Sequence, residues 1–436
     1  MLAFHLARFK VDATPPMAHP LCGGWIKPVV GVDDPLWLRG VVLMGAGMPL
    51  VLASLDWTGV MNESHRLWTE ALAAAAHTTP DRVALHCVHQ HNAPFIDREG
   101  NALLRKAGAS SLMYDEPFVE ALIRRAADAV REALTAALPV SHVHVGSAEV
   151  EQVASNRRVI GPNGKVRFNR TSATKDPAAR AEPEGTVDPV LRSIGFFGQD
   201  RPLARLYYYT THPMSYYGDG RVSSDFVGIA RERRDAEESD ALHLYFTGSA
   251  GNITAGKYND GSPGNRTVLA GRVHAAMCAA DKDAADHRGR LETMTWATAP
   301  IDFAPREDLD LEKLKAVVAD TGETVVNRNR SAMTCGWLMR VGTKRPILLS
   351  RLQLDGADVL HLPSETFVEY QLAAQRVRPD TPLATAAYGD GGAWYIPLAR
   401  SYAEGGYEPT VSFVSPRTEP FYQKAIEDLL RTKPGA

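Results

Sequence analysis

The sequence lacks the features that mark membrane-spanning, secreted and nucleic-acid-binding proteins. No apolar run approaches the ~20 residues needed to cross a bilayer, and His5 and Arg8 interrupt the N-terminus too early for a signal-peptide core. The net charge of -3 provides no basic field for a phosphate backbone. These absences predict a cytoplasmic protein with no membrane and no nucleic-acid partner, and they leave oligomer formation open.

Cysteine is also scarce, which favours reduced thiols over a disulfide framework or a Cys-rich zinc knuckle. The four cysteines are far apart and form no CxxC pair, so we expect reduced, mostly buried thiols: Cys22, Cys87, Cys278 and Cys335. Apolar residues make up 44% and charged residues 23% of the 436 residues, which is typical of globular proteins. No linker or internal repeat divides the chain, so one catalytic domain over 1–436 is predicted, with a short C-terminal extension over 408–436.

Alternating apolar runs and amphipathic stretches predict an α/β protein. Strands are expected at 1–10, 41–44, 50–56, 83–89, 204–209 and 241–246, with a hairpin at 347–354 and 359–362. Helices are expected at 63–76, 117–137, 265–280, 311–319 and 365–376. The C-terminal extension is expected to hold a strand at 410–414 and a helix at 420–431.

The segment 161–188 differs from the rest of the chain in composition. It is rich in Gly, Pro and charged residues and poor in large apolar ones. Because strands resume promptly after it, it is interpreted as a flap or substrate loop. An exposed surface loop without a function is an equally good interpretation.

The most informative motif is the His-x-His pair formed by His89 and His91 at the end of an apolar strand. Side chains two positions apart on a strand leave the same face, so both imidazoles are expected to point into one space. Imidazole is a preferred zinc ligand, and a catalytic zinc needs about three protein ligands and one open position. The pair therefore predicts half of a metal site.

Two further ligand-type residues, His212 and Glu365, also follow apolar strands directly. In α/β sheets, ligands bind beyond the carboxyl ends of strands. We expect Glu365 in the first turn of a helix capped by Ser364, where the helix dipole favours the ionised carboxylate. A glutamate that only caps the helix, or histidines that are only structural, would explain each residue alone; their joint pattern favours the metal site.

Glycines and tyrosines alternate between 388 and 407, and Tyr395 and Tyr407 offer phenolic oxygens that can bind a metal or donate hydrogen bonds. Packing is the alternative role for these aromatic residues. Asp225 is either a partner behind the site or a helix N-cap, and the cap is favoured.

With these residues identified, the sequence resembles the neutral ceramidase family of zinc-dependent amidases. The likeness follows the order of short motifs along nearly the whole chain. These motifs lie at 12–16, 89–94, 156–158, 187–189, 211–213, 248–254, 363–365 and 395–407.

The resemblance implies a neutral-ceramidase-like catalytic domain, with mixed β-sheets and flanking helices, that binds Zn²⁺. The implied metal ligands are His89, His212, Glu365 and Tyr395. The residues implied to assist the chemistry are His91, Arg157, Tyr407 and Thr254. Arg158 is an alternative to its neighbour Arg157, and Thr254 stands where the family has a serine.

The predicted function is hydrolysis of an amide bond by metal-activated water. Because the sequence has no room for the signal peptide and immunoglobulin-like domain of secreted members, and no apolar platform, we expect a small polar N-acyl substrate. An ester or lactone hydrolase on the same metal site and a catalytically inactive binding homologue are the alternatives. A TIM-barrel amidohydrolase would require eight βα repeats, which the sequence does not contain.

Overall fold

The computed structural model describes residues 4–45 and 47–432. The helices in these ranges are α1 Asn62–Ala75, α2 Arg98–Lys106, α3 Glu116–Thr135, α4 Pro177–Ala181, α5 Asp225–Glu237, α6 Pro263–Asp286, α7 Leu311–Ala319, α8 Val325–Gly342, α9 Val368–Val377, α10 Ala399–Glu404, α11 Tyr407–Val411 and α12 Thr418–Arg431. None of them combines the length and the apolar character required to span a membrane.

The strands begin with β1 Phe4–Asp12, β2 Gly31–Val32, β3 Trp37–Met44, β4 Leu50–Leu55, β5 Gly59–Met61, β6 Val83–Cys87, β7 Phe95–Asp97, β8 Leu138–Val140, β9 His142–Glu149, β10 Ser155–Asn156, β11 Arg158–Ile160 and β12 Val166–Asn169. They continue with β13 Val190–Gly198, β14 Arg201–Tyr209, β15 Arg221–Val222, β16 Leu242–Thr247, β17 Ile253–Thr254, β18 Arg288–Arg290, β19 Met294–Ile301, β20 Ile347–Leu354, β21 Ala357–His361, β22 Glu365–Thr366, β23 Leu383–Ala386 and β24 Tyr395–Ile396.

Three larger mixed sheets organise the molecule. Their strand orders are β6-β4-β3-β1-β8, β16-β14-β13-β9-β18 and β19-β20-β21-β23. Each sheet contains one parallel pair among the described residues: β4 with β6, β14 with β16, and β21 with β23. The α/β class and mixed sheets predicted from the sequence are therefore confirmed.

The strands have two apolar faces because the side chains of a strand alternate between them. In β1, Leu6 joins an inner core shared by the three sheets, whereas Phe9 faces the larger core that includes the helices. In β14, Leu206 and Tyr207 divide in the same way. The sheets are thus buried on both sides, which explains their nearly continuous apolar sequences.

Helices cover the outer faces of the sheets. Helices α1 and α3 pack on the first sheet, α5 and α6 on the second, and α9 and α12 on the third. Helix α3 shows the local reasons: Asp115 accepts a hydrogen bond from the Phe118 amide as N-cap, and Val119, Leu122 and Ala126 form the buried stripe.

The strands and helices predicted from the sequence correspond to observed elements, except within the C-terminal part of the chain. The hairpin of β20 and β21 turns at Gly356, whose φ of 82° suits glycine. The prediction of a strand at 410–414 was wrong, because Tyr407–Val411 forms helix α11 and Val414 makes only an isolated bridge to Pro305. Of the predicted first strand and C-terminal extension, residues 1–3 and 433–436 lie outside the described residues.

The cysteines conform to the sequence prediction. All four are free thiols; Cys22, Cys87 and Cys335 are buried and Cys278 is half-buried.

Candidate metal centre and active site

The parallel pairs of the three sheets end at one place, and the predicted metal ligands follow them. His89 lies after β6, His212 after β14 and Glu365 after β21. Hydrogen bonds tie these strand ends together: the Ala387 amide donates to the Thr247 carbonyl, and the Cys87 amide donates to the Tyr388 carbonyl. The site is therefore built where the three sheets meet.

His89 enters the site from a turn. Strand β6 ends at Cys87, and His89 has a left-handed φ of 78°. The expectation that His89 and His91 share one face of a strand was therefore wrong, although the turn still brings their rings to 5.1 Å between centroids. The Nδ1 of His89 donates to the Thr58 carbonyl at 2.6 Å, which leaves Nε2 as the free nitrogen.

His212 is oriented in the same manner. Its Nδ1 donates to the Ala250 carbonyl at 2.6 Å and lies 3.0 Å from the Ile253 carbonyl. Its Nε2 lies 2.9 Å from Glu365 Oε2, and the Nε2 of His89 lies 3.4 Å from the same oxygen. Two imidazole nitrogens and one carboxylate oxygen thus converge, each histidine fixed by a backbone carbonyl behind it.

Glu365 does not lie in a helix, so that expectation was wrong. It belongs to the two-residue strand β22, paired in parallel with Tyr395 of β24, and helix α9 begins only at Val368. Ser364 has a φ of 55° and does not cap the helix; its hydroxyl donates to the Asp390 carbonyl. The other carboxylate oxygen, Oε1, accepts a hydrogen bond of 2.8 Å from the Trp394 indole.

The charge of the Glu365 carboxylate is maintained by the histidines. Burial raises the pKa of this carboxyl, but the neighbouring His89 and His212 side chains outweigh burial and hold the pKa well below its usual range. The site therefore favours the ionised carboxylate.

His91 is a third imidazole beside the pair. One ligand atom of each of His89, His91 and His212 lies within 4.8 Å of the others. Burial, followed by the neighbouring His89 and His212, lowers the pKa of His91 well below its usual value. Its Nδ1 lies 3.8 Å from the Cys22 thiol, and its ring lies 5.0 Å from that of Tyr217.

Tyr388 also lies at this centre; in the sequence it belongs to the cluster of glycines and tyrosines but is not among the predicted site residues. Its ring stacks on His89 at 4.3 Å, and its hydroxyl lies 3.4 Å from His212 Nδ1. The glycine-rich composition that follows it was the signal that could have identified it.

The structure distinguishes the two adjacent arginines. The Nη1 of Arg157 donates to the Tyr395 hydroxyl at 3.1 Å, and its guanidinium lies 5.3 Å from the centre of the Tyr407 ring. Arg158 points elsewhere and pairs with Glu408 at 2.8 Å. Glu408, fully buried, lies 3.5 Å from Arg157 Nε as well, and sequence reasoning missed it.

Tyr395 and Tyr407 lie beside each other, with ring centroids 5.8 Å apart. Burial raises the pKa of both phenols, and for Tyr395 the Glu365 carboxylate raises it further. Both therefore keep their hydroxyl protons at neutral pH.

The hydroxyl of Thr254 forms hydrogen bonds with two backbone groups. It donates to the Thr171 carbonyl at 3.1 Å and accepts from the Gly256 amide at 3.1 Å. Asn252, in the same loop, accepts from the Val368 amide with its side-chain oxygen and so holds the start of α9.

Asp225 is the first residue of α5 instead of its cap. Its carboxylate accepts hydrogen bonds from the Phe226 and Ser215 amides at 2.7 and 3.0 Å, so it fastens α5 to the loop that follows His212.

The segment 161–188 contains the turn and the second strand of the hairpin of β11 and β12, followed by α4. The hairpin contacts the segment just before Tyr407: the Lys165 ammonium donates a hydrogen bond of 2.6 Å to the Ala403 carbonyl.

The donor set fits a divalent metal ion. The Nε2 atom of His89 is buried and forms no hydrogen bond within the described residues. A buried polar atom without a partner is costly, and an ion would satisfy it. Nitrogen donors with a carboxylate oxygen form a typical zinc set.

No protein-family model matches the sequence, and no curated protein matches it significantly. The structure, however, aligns with solved structures. The crystal structure of neutral ceramidase from Pseudomonas aeruginosa aligns with a TM-score of 0.71 and 16% identity over 99% of this chain and 74% of that one. A ceramidase complexed with C2 aligns with the same TM-score and identity, over 75% of its chain. The chain therefore has a neutral-ceramidase-like fold.

Proposed function

We propose that the chain is a zinc-dependent hydrolase that cleaves the amide bond of a small polar N-acyl compound. The observation that carries this proposal is the convergence of His89 Nε2 and His212 Nε2 on Glu365 Oε2, at 3.4 and 2.9 Å, with both rings fixed through Nδ1. The fold shared with ceramidase structures supports the same chemistry.

His89, His212 and Glu365 would hold the ion, with Tyr395 as a further protein donor. When bound, zinc would lower the pKa of a water molecule towards about 7 and polarise a carbonyl oxygen. The backbone carbonyls behind the two histidines keep Nε2 of each ring directed at the ion.

Arg157 and Tyr407 would stabilise the negative charge that develops on the amide oxygen. The guanidinium of Arg157 lies between the two tyrosines, and its contact with Glu408 fixes its direction. Donors that are already oriented cost no reorganisation during the reaction. Burial keeps the Tyr407 phenol protonated and therefore able to donate.

His91 would assist by moving a proton to the leaving nitrogen. Its Nε2 is buried, forms no hydrogen bond to another described residue and belongs to the same imidazole cluster. An imidazole in this position can accept a proton from one group and donate it to another.

We assign Thr254 a positioning role. Its hydroxyl already bonds to Thr171 and Gly256, and its backbone bridges to His212. It would hold the loop whose carbonyls orient His212, without attacking the substrate.

The proposal is tested by measuring zinc in the purified protein. We expect about one firmly bound zinc per chain, and we expect His212→Ala to lose it, because only one histidine and the carboxylate remain of the central set. His287→Ala, which changes an exposed histidine, is the control and should keep its zinc. Full zinc occupancy in His212→Ala would refute the ligand set.

A hydrolase screen addresses the reaction. N-acyl amides, the corresponding esters and simple lactones are incubated with the zinc-loaded protein. We expect the amides to be cleaved, and to be cleaved with lower efficiency by Arg157→Ala. A protein that retains zinc and cleaves none of these compounds would be an inactive homologue.

A further inference from the structure

Arg330 on helix α8 is a charged side chain with no counterion in the described part of the chain. On the same helix, Arg340 pairs with Asp390 at 2.6 Å. Arg328 donates through Nε to the Val318 carbonyl at 2.9 Å, and its buried Nη2 has no partner among the described residues. Arg330 forms no ion pair within 4.0 Å of a described carboxylate. Its Nε is buried and has no hydrogen-bond partner.

Arg330 lies one side chain away from the proposed metal centre. Its guanidinium is 5.5 Å from the centre of the Trp25 ring and 5.7 Å from that of Trp394. The two indoles stack on each other at 5.2 Å. Trp394 also donates its indole proton to Glu365 Oε1 at 2.8 Å, so a single ring separates the guanidinium from a proposed ligand.

The charge of Arg330 also bears on Tyr407. Burial raises the pKa of Tyr407, and the charges of both Arg157 and Arg330 oppose that rise.

The surrounding charges leave this guanidinium uncompensated. Glu408 serves both Arg157 and Arg158, and Glu404 pairs with Arg158 at 3.1 Å. The indoles attract the cation but offer it no hydrogen-bond acceptor. The buried Nε of Arg330 has no acceptor among the described residues, and an anion beside the guanidinium would supply one.

We propose that Arg330 binds a carboxylate of the substrate, so that the preferred amide is anionic, such as an N-acyl amino acid. This inference rests on the proposed amidase function. The planar guanidinium matches a carboxylate through two parallel hydrogen bonds. A phosphate dianion would call for more donors than this one unpaired cation supplies.

The test compares pairs of substrates that differ only in this charge. N-acetyl- and N-octanoyl-phenylalanine are each measured against the corresponding phenylalaninamide, in which a neutral carboxamide replaces the carboxylate. In the unmodified protein we expect kcat/KM for the acids to exceed that for the carboxamides at least tenfold. A hydrogen-bonded charge pair accounts for about 10- to 100-fold.

Substitution at Arg330 should reduce this discrimination. In Arg330→Gln the ratio of acid to carboxamide should fall to near one, and Arg330→Lys should restore part of it. Arg131→Gln removes one exposed positive charge from α3 and should leave the ratio unchanged. Equal cleavage of acid and carboxamide by the unmodified protein, or equal losses on both in Arg330→Gln, would overturn the proposal.

A binding measurement separates this inference from the proposed function. Because Arg330 lies over Trp25 and Trp394, N-octanoyl-phenylalanine should change the tryptophan fluorescence of the zinc-depleted protein, which does not hydrolyse it. We expect its Kd to weaken about 10- to 100-fold in Arg330→Gln. If no amide is hydrolysed but this binding difference is found, the amidase function fails and the carboxylate site stands. If Arg330→Gln binds the acid as well as the unmodified protein does, the carboxylate site fails.

Discussion

The indole of Trp394 contacts two functional side chains. Its ring face lies near Arg330, and its N–H donates to the Glu365 oxygen that does not face the histidines. Side chains that hold a metal-binding carboxylate typically contribute 10- to 100-fold to metal affinity. The orientation of Glu365 thus depends on a residue that itself binds no metal.

We therefore expect Trp394→Phe to bind zinc about 10- to 100-fold more weakly, because the ring is retained and only the donor is lost. Competition with a chromogenic chelator gives the Kd. Trp296→Phe, which removes an indole donor to the Asp81 carbonyl far along the chain, is the matched control. An unchanged Kd in Trp394→Phe would show that Glu365 is oriented by other means.

At the scale of elements, Gly146 allows β9 and the last turns of α6 to approach each other closely. A Cβ at Gly146 would lie 2.2 Å from the Ala280 carbonyl oxygen and 2.3 Å from the Ala284 amide nitrogen. The backbone of a packed helix cannot give way at low cost.

Gly146→Ala is therefore expected to lower the free energy of unfolding by about 1–3 kcal/mol or more, as overpacking does. Gly289→Ala, in β18 of the same sheet, is the control, because its Cβ would lie 3.7 Å from the nearest atom, the Val143 carbonyl oxygen. Urea unfolding of the two variants and the parent measures the difference. Equal stability of the two variants would mean that α6 shifts freely.

Several elements could be predicted from the sequence and others could not, for physical reasons. The strand-end positions of His89, His212 and Glu365 follow from apolar runs, which are local. Helix α8 was missed because its buried face carries polar residues, such as Asn329, that bind distant backbone groups. The local environment of Glu365 was mispredicted because β22 exists only through pairing with β24, about 30 residues later in the chain.

At the scale of the whole molecule, His86 links two sheets. It lies in β6 of the first sheet, its Nδ1 donates to the Ala387 carbonyl after β23 of the third, and its ring lies 5.3 Å from that of His361. Burial lowers the pKa of His86 to about 4. The imidazole is therefore neutral in the folded protein at neutral pH.

This pKa predicts acid destabilisation with a defined window. The unfolded chain binds the proton below about pH 6.5 and the folded chain only below about pH 4, so stability falls as the pH is lowered between these values. The slope from this group approaches about 1.4 kcal/mol per pH unit. Urea unfolding from pH 7.5 to 4.5 should show a shallower slope in His86→Gln than in the parent. Identical slopes would contradict the assignment.

The position of the site where three sheets meet affects how the site forms during folding. His212 and Glu365 touch although 153 positions separate them. Long-range contacts of this kind form slowly, because the chain must lose the entropy of loop closure before the contact is made. The proposed metal site is therefore completed in the finished molecule and not in its fragments.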